Sequence, residues 1–220
     1  INITTTNDNI KNEGSDLESV NDSNIKSGNN VEIAAGKSTS SQKDSSFNLE
    51  VDVDIIGTSG AGATNISGSI ASSKSSSTNH NNTQINSQNN LTITANNNTD
   101  IKGANINAKN DLVLNTGNNL NIESLQNTSK SKNNSLNFSV GFGGGGNNGG
   151  LGFQTGKSTR QWVDDQTTLT AENSVTINTT NNTNLKGALI ANQIIDQDGN
   201  KIDQGSLAIN TNTLTYSDIL

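Results

Sequence analysis

The chain has 220 residues, of which only 28% are hydrophobic and 3% aromatic, and its formal net charge is −7. Ordering each residue costs about 1–2 kcal/mol of backbone entropy, so a chain this poor in apolar residues is either disordered or built on a thin core repeated along an axis. The acidic balance, without a block of Lys and Arg, argues against nucleic acid as a partner.

Asparagine is abundant, with 41 copies, whereas proline and cysteine are absent. Without cysteine the chain has no disulfide framework, and without proline every backbone N–H is available to a long β ladder. No apolar run approaches the length of a membrane-spanning helix. No signal peptide is visible and Ile1 is not an initiating methionine, so we expect the chain to be part of a longer protein.

An internal repeat is the clearest feature of the sequence. The segment 28–33 matches 117–122, an offset of 89 residues, and the same offset maps the alternating apolar residues of 47–53 onto 136–142. Segments 90–93 and 101–104 recur after 84 residues at 174–177 and 185–188, so the second copy lacks about five residues. These matches predict two internal repeats, at about 28–116 and 117–190, and a closing segment at about 191–220 of one solenoid.

A shorter period lies inside this repeat. Leu91-x-Ile93 recurs 21 residues later as Leu112-x-Leu114, and each such pair is followed by Asn, Asp or Gly. Alternating strands point one row of side chains inward, and Asn and Gly tolerate the bends between strands. A coil of about 20 residues with short strands predicts an all-β parallel β-helix, or β-solenoid. The predicted inward positions are Leu91, Ile93, Leu112, Leu114, Leu120, Ile122, Val175 and Ile177.

Two long segments, 36–88 and 124–172, interrupt the coil pattern. Each contains one alternating strand, Phe47 to Val53 and Leu136 to Phe142, and then a Gly-containing segment, 57–60 or 143–146. In the second segment a return strand follows, with Leu151 and Phe153. We interpret these segments as β-hairpins that project from the solenoid. A disordered loop is the alternative.

Most of the aromatic residues fall in the second interruption. Phe138, Phe142, Phe153 and Trp162 lie there, together with Arg160, the single arginine. Because Trp, Tyr and Arg are enriched at binding hot spots, these five residues are candidates for contact with a partner. The alternative is that the aromatic residues only pack the hairpin onto the solenoid.

Few residues could carry catalysis. The single histidine, His80, has no Cys, Glu or second His at metal-ligand spacing, so we predict no metal site and no cofactor. Solenoids can use paired carboxylates for glycan hydrolysis, and the pairs present are Asp52/Asp54 and Asp164/Asp165. Solubility explains the first pair equally well, because both residues lie on the polar face of a strand. We predict that the protein is not an enzyme.

The order of these segments resembles a known family. The string 89–124 and the pattern of spacer, alternating strand, Gly-rich turn and Leu185-Lys186-Gly187-Ala188 resemble the second hemagglutinin-repeat region of filamentous hemagglutinins and contact-dependent growth inhibition effectors. These are large bacterial exoproteins of two-partner secretion systems. The end, 205–219, is similar to the segment that closes that region. The resemblance covers nearly the whole chain.

The resemblance implies a right-handed β-solenoid at the bacterial cell surface, outer-membrane associated or secreted. It implies export by the outer-membrane transporter of a two-partner secretion system. It also implies contact with a component of the target-cell outer membrane or of the host-cell surface, for toxin delivery or for adhesion. A passive spacer in a surface fibre and a glycan-active enzyme are the alternatives.

Overall fold

A computed structural model describes residues 1–54, 63–143 and 146–219. These ranges contain strands and no helix, so no helix in them has the length and apolarity needed to cross a membrane. The strands are, in chain order, β1 (Asn2–Thr4), β2 (Ile10–Glu13), β3 (Leu17–Ser19), β4 (Ser23–Ser27), β5 (Val31–Ala34), β6 (Gly36–Asp54), β7 (Ala63–Asn81), β8 (Thr83–Ser87), β9 (Leu91–Ala95), β10 (Thr99–Lys102), β11 (Ala104–Ala108), β12 (Asp111–Thr116), β13 (Leu120–Glu123), β14 (Asn127–Phe142), β15 (Asn148–Trp162), β16 (Thr168–Ala171), β17 (Ser174–Lys186), β18 (Leu189–Ile195), β19 (Lys201–Asp203) and β20 (Leu207–Ser217).

Most of these strands form a parallel β-helix with three strands per coil. Coils one to four contain β1–β2–β3, β4–β5–β8, β9–β10–β11 and β12–β13–β16; β17 covers two faces of the fifth coil and β18 the third. Strand β20 continues both faces of β17 in parallel. Asn97 and Asn118 are bonded neighbours in adjacent coils and lie 21 residues apart, which confirms the predicted coil of about 20 residues. The predicted all-β parallel β-helix is therefore confirmed.

The core is a narrow column of aliphatic side chains along the helix axis, to which all three strands of a coil contribute. All eight predicted inward residues are buried, with at most 1% of their surface exposed. Within a face they stack on one another, as Leu91, Leu112 and Val175 do in consecutive coils. Each burial contributes roughly 1.5–3 kcal/mol, so the thin core gains its stability by repetition.

Asparagine ladders form hydrogen bonds between coils at the corner that joins the first two strands of each coil. Asn30 Nδ2 donates to Asn9 Oδ1 at 2.9 Å, and Asn98 Nδ2 donates to Asn30 Oδ1 at 3.3 Å. The backbone N–H of Asn119 then donates to Asn98 Oδ1 at 3.2 Å, and Asn181 Nδ2 donates to Asn119 Oδ1 at 3.0 Å. Stacked amides of this kind explain why a solenoid chain contains so much asparagine.

The corner between the second and third strands takes one of two forms. In coils one, three and five it contains Gly14, Gly103 or Gly187 with φ of 63°, 68° and 57°, a left-handed conformation that favours glycine. A Cβ on Gly103 would lie 2.7 Å from Ala35 Cβ, so the coils also approach closely there. In coils two and four the long insertions leave the solenoid at this corner. Because of these insertions, bonded neighbours lie 68 residues apart between coils two and three and 63 residues apart between coils four and five.

The chain divides into two compact units. The solenoid unit comprises 1–38, 79–127 and 163–220, and the sheet unit comprises 39–78 and 128–162. The sheet unit is a four-stranded sheet in the order β15–β14–β7–β6. The predicted strands 47–53 and 136–142 lie in β6 and β14, and the predicted return strand is β15, so the hairpin strands are confirmed. Residues 57–60 lie outside the described residues.

The sequence did not predict that the two hairpins join. Strand β7 pairs antiparallel with β14 over fifteen positions, from Thr128↔Thr78 to Phe142↔Thr64. The two hairpins therefore form one sheet, with β6 and β15 as its edge strands.

Candidate contact surface

Of the residues considered for catalysis, Asp52 belongs to the sheet unit and Asp164 to the solenoid unit. Asp52 is exposed in β6, and the side chain of Asp54 lies outside the described residues. Asp164 accepts a hydrogen bond from Asn127 Nδ2, and Asn127 Oδ1 accepts one from the backbone N–H of His80 at 2.7 Å. Within the described part of the chain no group of three or more His, Cys, Asp or Glu residues could hold a metal ion.

The two inner strands of the sheet unit place aliphatic and aromatic side chains on one face. Directly paired residues of an antiparallel ladder point to the same side, and residues two apart along a strand share a face. Phe138 pairs with Gly68, and a Cβ built on Gly68 would lie 2.4 Å from Phe138 Cζ. The neighbouring pairs Leu136↔Ile70 and Val140↔Ile66 therefore lie on the same face as the Phe138 ring.

Side-chain contacts assign the faces of the two edge strands. Each edge strand is antiparallel to its inner neighbour, because too few residues connect them for a parallel crossover. Ser73 Oγ lies 3.5 Å from Asp44 Oδ2, so those two side chains share the face opposite to Phe138. Thr155 Oγ1 donates to Asn134 Oδ1 at 2.8 Å, and Asn134 is on the Phe138 side by alternation. The odd-numbered residues of β6 and β15 therefore lie on the same face as Phe138.

The resulting surface, which we call the apolar face, crosses all four strands. Its members are Phe47, Leu49, Val51 and Val53 on β6, Ile66 and Ile70 on β7, Leu136, Phe138, Val140 and Phe142 on β14, and Leu151 and Phe153 on β15. Phe153 is 81% exposed, Leu151 74% and Phe47 67%. Burying such side chains is favourable by roughly 1.5–3 kcal/mol each, so their exposure marks a surface suited to a partner.

The opposite face of the sheet unit is polar. Alternation places Asp44, Glu50 and Asp52 of β6 there, among serine and asparagine side chains of the inner strands. Arg160 and Trp162 of β15 lie on this polar face, because they are even-numbered while Thr155 points to the apolar face.

The structure thus separates the five contact residues predicted from the sequence. Phe138, Phe142 and Phe153 share the apolar face, whereas Arg160 and Trp162 lie on the other side of the sheet. Phe138 is half-buried, Phe142 is 49% exposed and Trp162 is 37% exposed. One flat partner cannot touch all five residues at once.

Sequence reasoning missed the contribution of the first hairpin. Phe47 and Leu49 were recognised as part of an alternating strand, but not as part of the same surface as Phe153. The available signal was the 89-residue offset that maps Phe47 onto Leu136. Equivalent strands of two hairpins inserted at the same corner are candidates for one shared sheet.

Comparison with known proteins identifies one matching family. The hemagglutinin repeat family matches residues 1–138 and 127–208, which together span most of the chain. A search of curated proteins and a search of solved structures each gave no significant match. The matching family is a non-enzymatic, adhesin-type family. The chain therefore belongs to the hemagglutinin repeat family, whose members are segments of large, secreted or cell-surface, adhesin-like exoproteins.

Proposed function

We propose that this chain is a cell-contact segment and that the apolar face of the sheet unit makes the contact. Two arrangements would use such a segment. In one it recognises the outer membrane of a target cell and assists toxin delivery in contact-dependent growth inhibition, and in the other it attaches the exoprotein to a host-cell surface. In both, the outer-membrane transporter of a two-partner secretion system exports the parent protein.

The observation that carries the proposal is the exposure of Phe47, Leu151 and Phe153 on the edge strands. These residues have 67%, 74% and 81% of their surface exposed, although the chain has only six aromatic residues in total. A segment that served only as a spacer gains nothing from exposed phenylalanines, which favour aggregation. Their placement on one face supports a role in binding.

The edge strands add a second means of contact. Strands β6 and β15 are 19 and 15 residues long, contain no proline and have one neighbour each in the sheet. An unpaired edge of this length can pair with a strand of a partner through backbone hydrogen bonds. This feature supports a protein component of the target cell as an additional partner.

Binding of the purified full chain to candidate target cells tests the proposal. The variant Phe47→Ser/Phe153→Ser removes two aromatic side chains from the apolar face. The control Val20→Ser/Tyr216→Ser removes two side chains of the solenoid unit that are each 82% exposed. We expect saturable binding that falls at least tenfold in the first variant and stays unchanged in the control.

Trp162→Ala adds a comparison between the two faces. The sequence predicts that this change alone weakens cell binding, and the polar-face location of Trp162 predicts a smaller effect than Phe153→Ser. No saturable binding by the parent chain would leave the spacer as the better reading. Equal loss in the Phe47/Phe153 variant and the control would place the contact outside the apolar face.

A further inference from the structure

A row of lysines crosses the same face of the sheet unit as the apolar residues. Lys132 on β14 pairs directly with Lys74 on β7. Asp44 on β6 contacts Ser73 on β7, so these two positions lie across from each other on the polar face. The residues next to them, Lys43 and Lys74, therefore lie across from each other on the apolar side of the sheet. Lys157 lies two residues beyond Thr155, which bonds Asn134, so Lys157 lies opposite Lys132. We call Lys43, Lys74, Lys132 and Lys157 the lysine row; all four are exposed.

Nothing on this face neutralises the row. None of the described side chains on the apolar face is acidic, since the acidic residues Asp44, Glu50 and Asp52 lie on the polar face. By sequence the sheet unit contains six Lys and Arg residues against four Asp and Glu residues, whereas the whole chain has a net charge of −7. Like charges placed directly opposite each other destabilise a sheet, so folding alone gives no reason for Lys74 to face Lys132.

The row lies beside the apolar residues at a defined distance. Leu136 is four residues from Lys132 on β14, about 14 Å along a strand at roughly 3.4 Å per residue. Only Asn134 separates them on this face, and Ser72 occupies the paired position on β7. The face therefore carries a wide apolar patch next to a strip of positive charge, with one polar row between.

A lipid surface has the matching chemistry. Anionic headgroups lie next to hydrocarbon, and interfacial amphipathic segments bury an apolar face while Lys or Arg side chains contact the headgroups. Lysine stems also extend along apolar surface while the ammonium group stays at the polar layer. We propose that the apolar face and the lysine row together dock on an anionic lipid layer. This inference rests on the proposed function and names its partner.

Other possible partners match the positive charge of this face less well than an anionic lipid layer does. A second copy of the same face would bring a lysine row against apolar residues or against another lysine row, with no carboxylate to pair with it.

The exposed area is sufficient for docking. Phe47 and Phe153 alone expose roughly 200–400 Å² at 150–250 Å² per aromatic side chain. The whole face therefore exceeds the few hundred Å² typical of apolar patches on monomers.

Vesicle binding by the full chain tests the lipid requirement. We expect the chain to co-sediment with vesicles that contain phosphatidylglycerol and not with vesicles of phosphatidylcholine alone. Lys74→Gln/Lys132→Gln should weaken binding about 25-fold, at roughly fivefold per lysine. The control Lys26→Gln/Lys109→Gln changes the net charge equally but alters two exposed lysines of the solenoid unit, and it should bind like the parent chain.

Single-cysteine labelling tests which face inserts, because the chain has no cysteine of its own. An environment-sensitive fluorophore at Phe153→Cys should shift to the blue on anionic vesicles. The same label at the neighbouring Gln154→Cys, on the polar face, should not shift. Equal shifts at both positions would overturn the proposed orientation.

Three further outcomes would overturn the lipid proposal. These are binding that does not depend on phosphatidylglycerol, equal loss in the two lysine variants, and self-association that shifts the Phe153→Cys label without vesicles. If cell binding still depended on Phe47 and Phe153 while vesicle binding failed, the proposed contact function would stand and its partner would be a protein. If vesicles bound but cells did not, the contact function would fail instead.

Discussion

The phenyl ring of Phe138 on β14 covers Gly68, its cross-strand partner on β7. Gly68 has no side chain to contribute to the apolar face, and the ring occupies the space above its backbone. The pair also joins the two hairpins, since β7 and β14 are the strands through which they meet.

Replacing Gly68 with alanine tests this contact. The new Cβ would lie 2.4 Å from Phe138 Cζ and 3.1 Å from the Asn48 carbonyl oxygen, so the ring must move. We expect a loss of about 1–3 kcal/mol in the free energy of unfolding, measured by chemical denaturation. Gly156→Ala on β15 is the control, because a Cβ there meets nothing within 4 Å. Equal stabilities of the two variants would contradict the packing described.

The solenoid core predicts a strong contrast between adjacent residues. Leu114 is fully buried, whereas Val113 next to it points outward and is half-exposed. Leu114→Asn removes apolar burial and adds an amide without partners, so we expect a loss of roughly 3–5 kcal/mol. Val113→Asn should change the stability by less than about 1 kcal/mol. The unfolding midpoint by circular dichroism measures both, and an unchanged midpoint in Leu114→Asn would refute the inward assignment.

The asparagine ladder predicts that an asparagine inside it contributes more to stability than an exposed asparagine outside it. Asn98 Oδ1 accepts from the Asn119 N–H at 3.2 Å and from Asn118 Nδ2 at 3.1 Å, and Asn98 Nδ2 donates to Asn30 Oδ1 at 3.3 Å. Asn98→Ala breaks all three bonds and should lower the free energy of unfolding, measured by thermal denaturation, by about 1–3 kcal/mol. Asn212→Ala, at an exposed position of β20, should stay within about 0.5 kcal/mol. Similar losses from both would mean that the ladder does not stabilise the coil.

The connection between β18 and β19 predicts a shifted titration. Hydrogen bonds from Asn200, first from its backbone N–H and then from its side chain, hold the pKa of Asp196 below its usual value, and the Asp198 N–H adds to this. Because this pKa is lowered, the hydrogen bonds to Asp196 stabilise the turn fully at pH values above the ordinary pKa of aspartate. That stabilisation is lost as the pH falls through the lowered pKa. In an NMR titration we expect Asn200→Ala to raise the midpoint of Asp196 toward the usual range. Since alanine keeps the backbone N–H, an unaltered midpoint would rule out the Asn200 side chain as a cause and leave the backbone bond.

The coil and its core were predictable because both depend on local alternation. The pairs Leu91-x-Ile93 and Leu112-x-Leu114 place two inward side chains on one face and repeat after one coil. No long-range information is needed to recognise that pattern. The hairpin strands 47–53 and 136–142 were predictable for the same reason.

The joining of the hairpins was not predictable in this way. The stretch of β7 from Ser72 to Ser77 is almost entirely serine, so it gives no alternation from which a register could be read. The lysine row depends on that register, because its four members come from four different strands. The separation of Arg160 and Trp162 from Phe153 could have been found by parity, since residues of one strand that face opposite sides of the sheet differ in number by an odd amount.

The shared corner of the solenoid has an evolutionary consequence. A single left-handed glycine closes the corner at Gly103, and an insertion replaces that closure in the coils before and after it, yet the strands of all three coils stay in register. Loop length at this corner is therefore under little selection from the coil itself. Hairpins inserted at this corner can therefore be duplicated, exchanged or diversified while the scaffold is inherited unchanged, so the exposed surface of the sheet unit can vary on one frame.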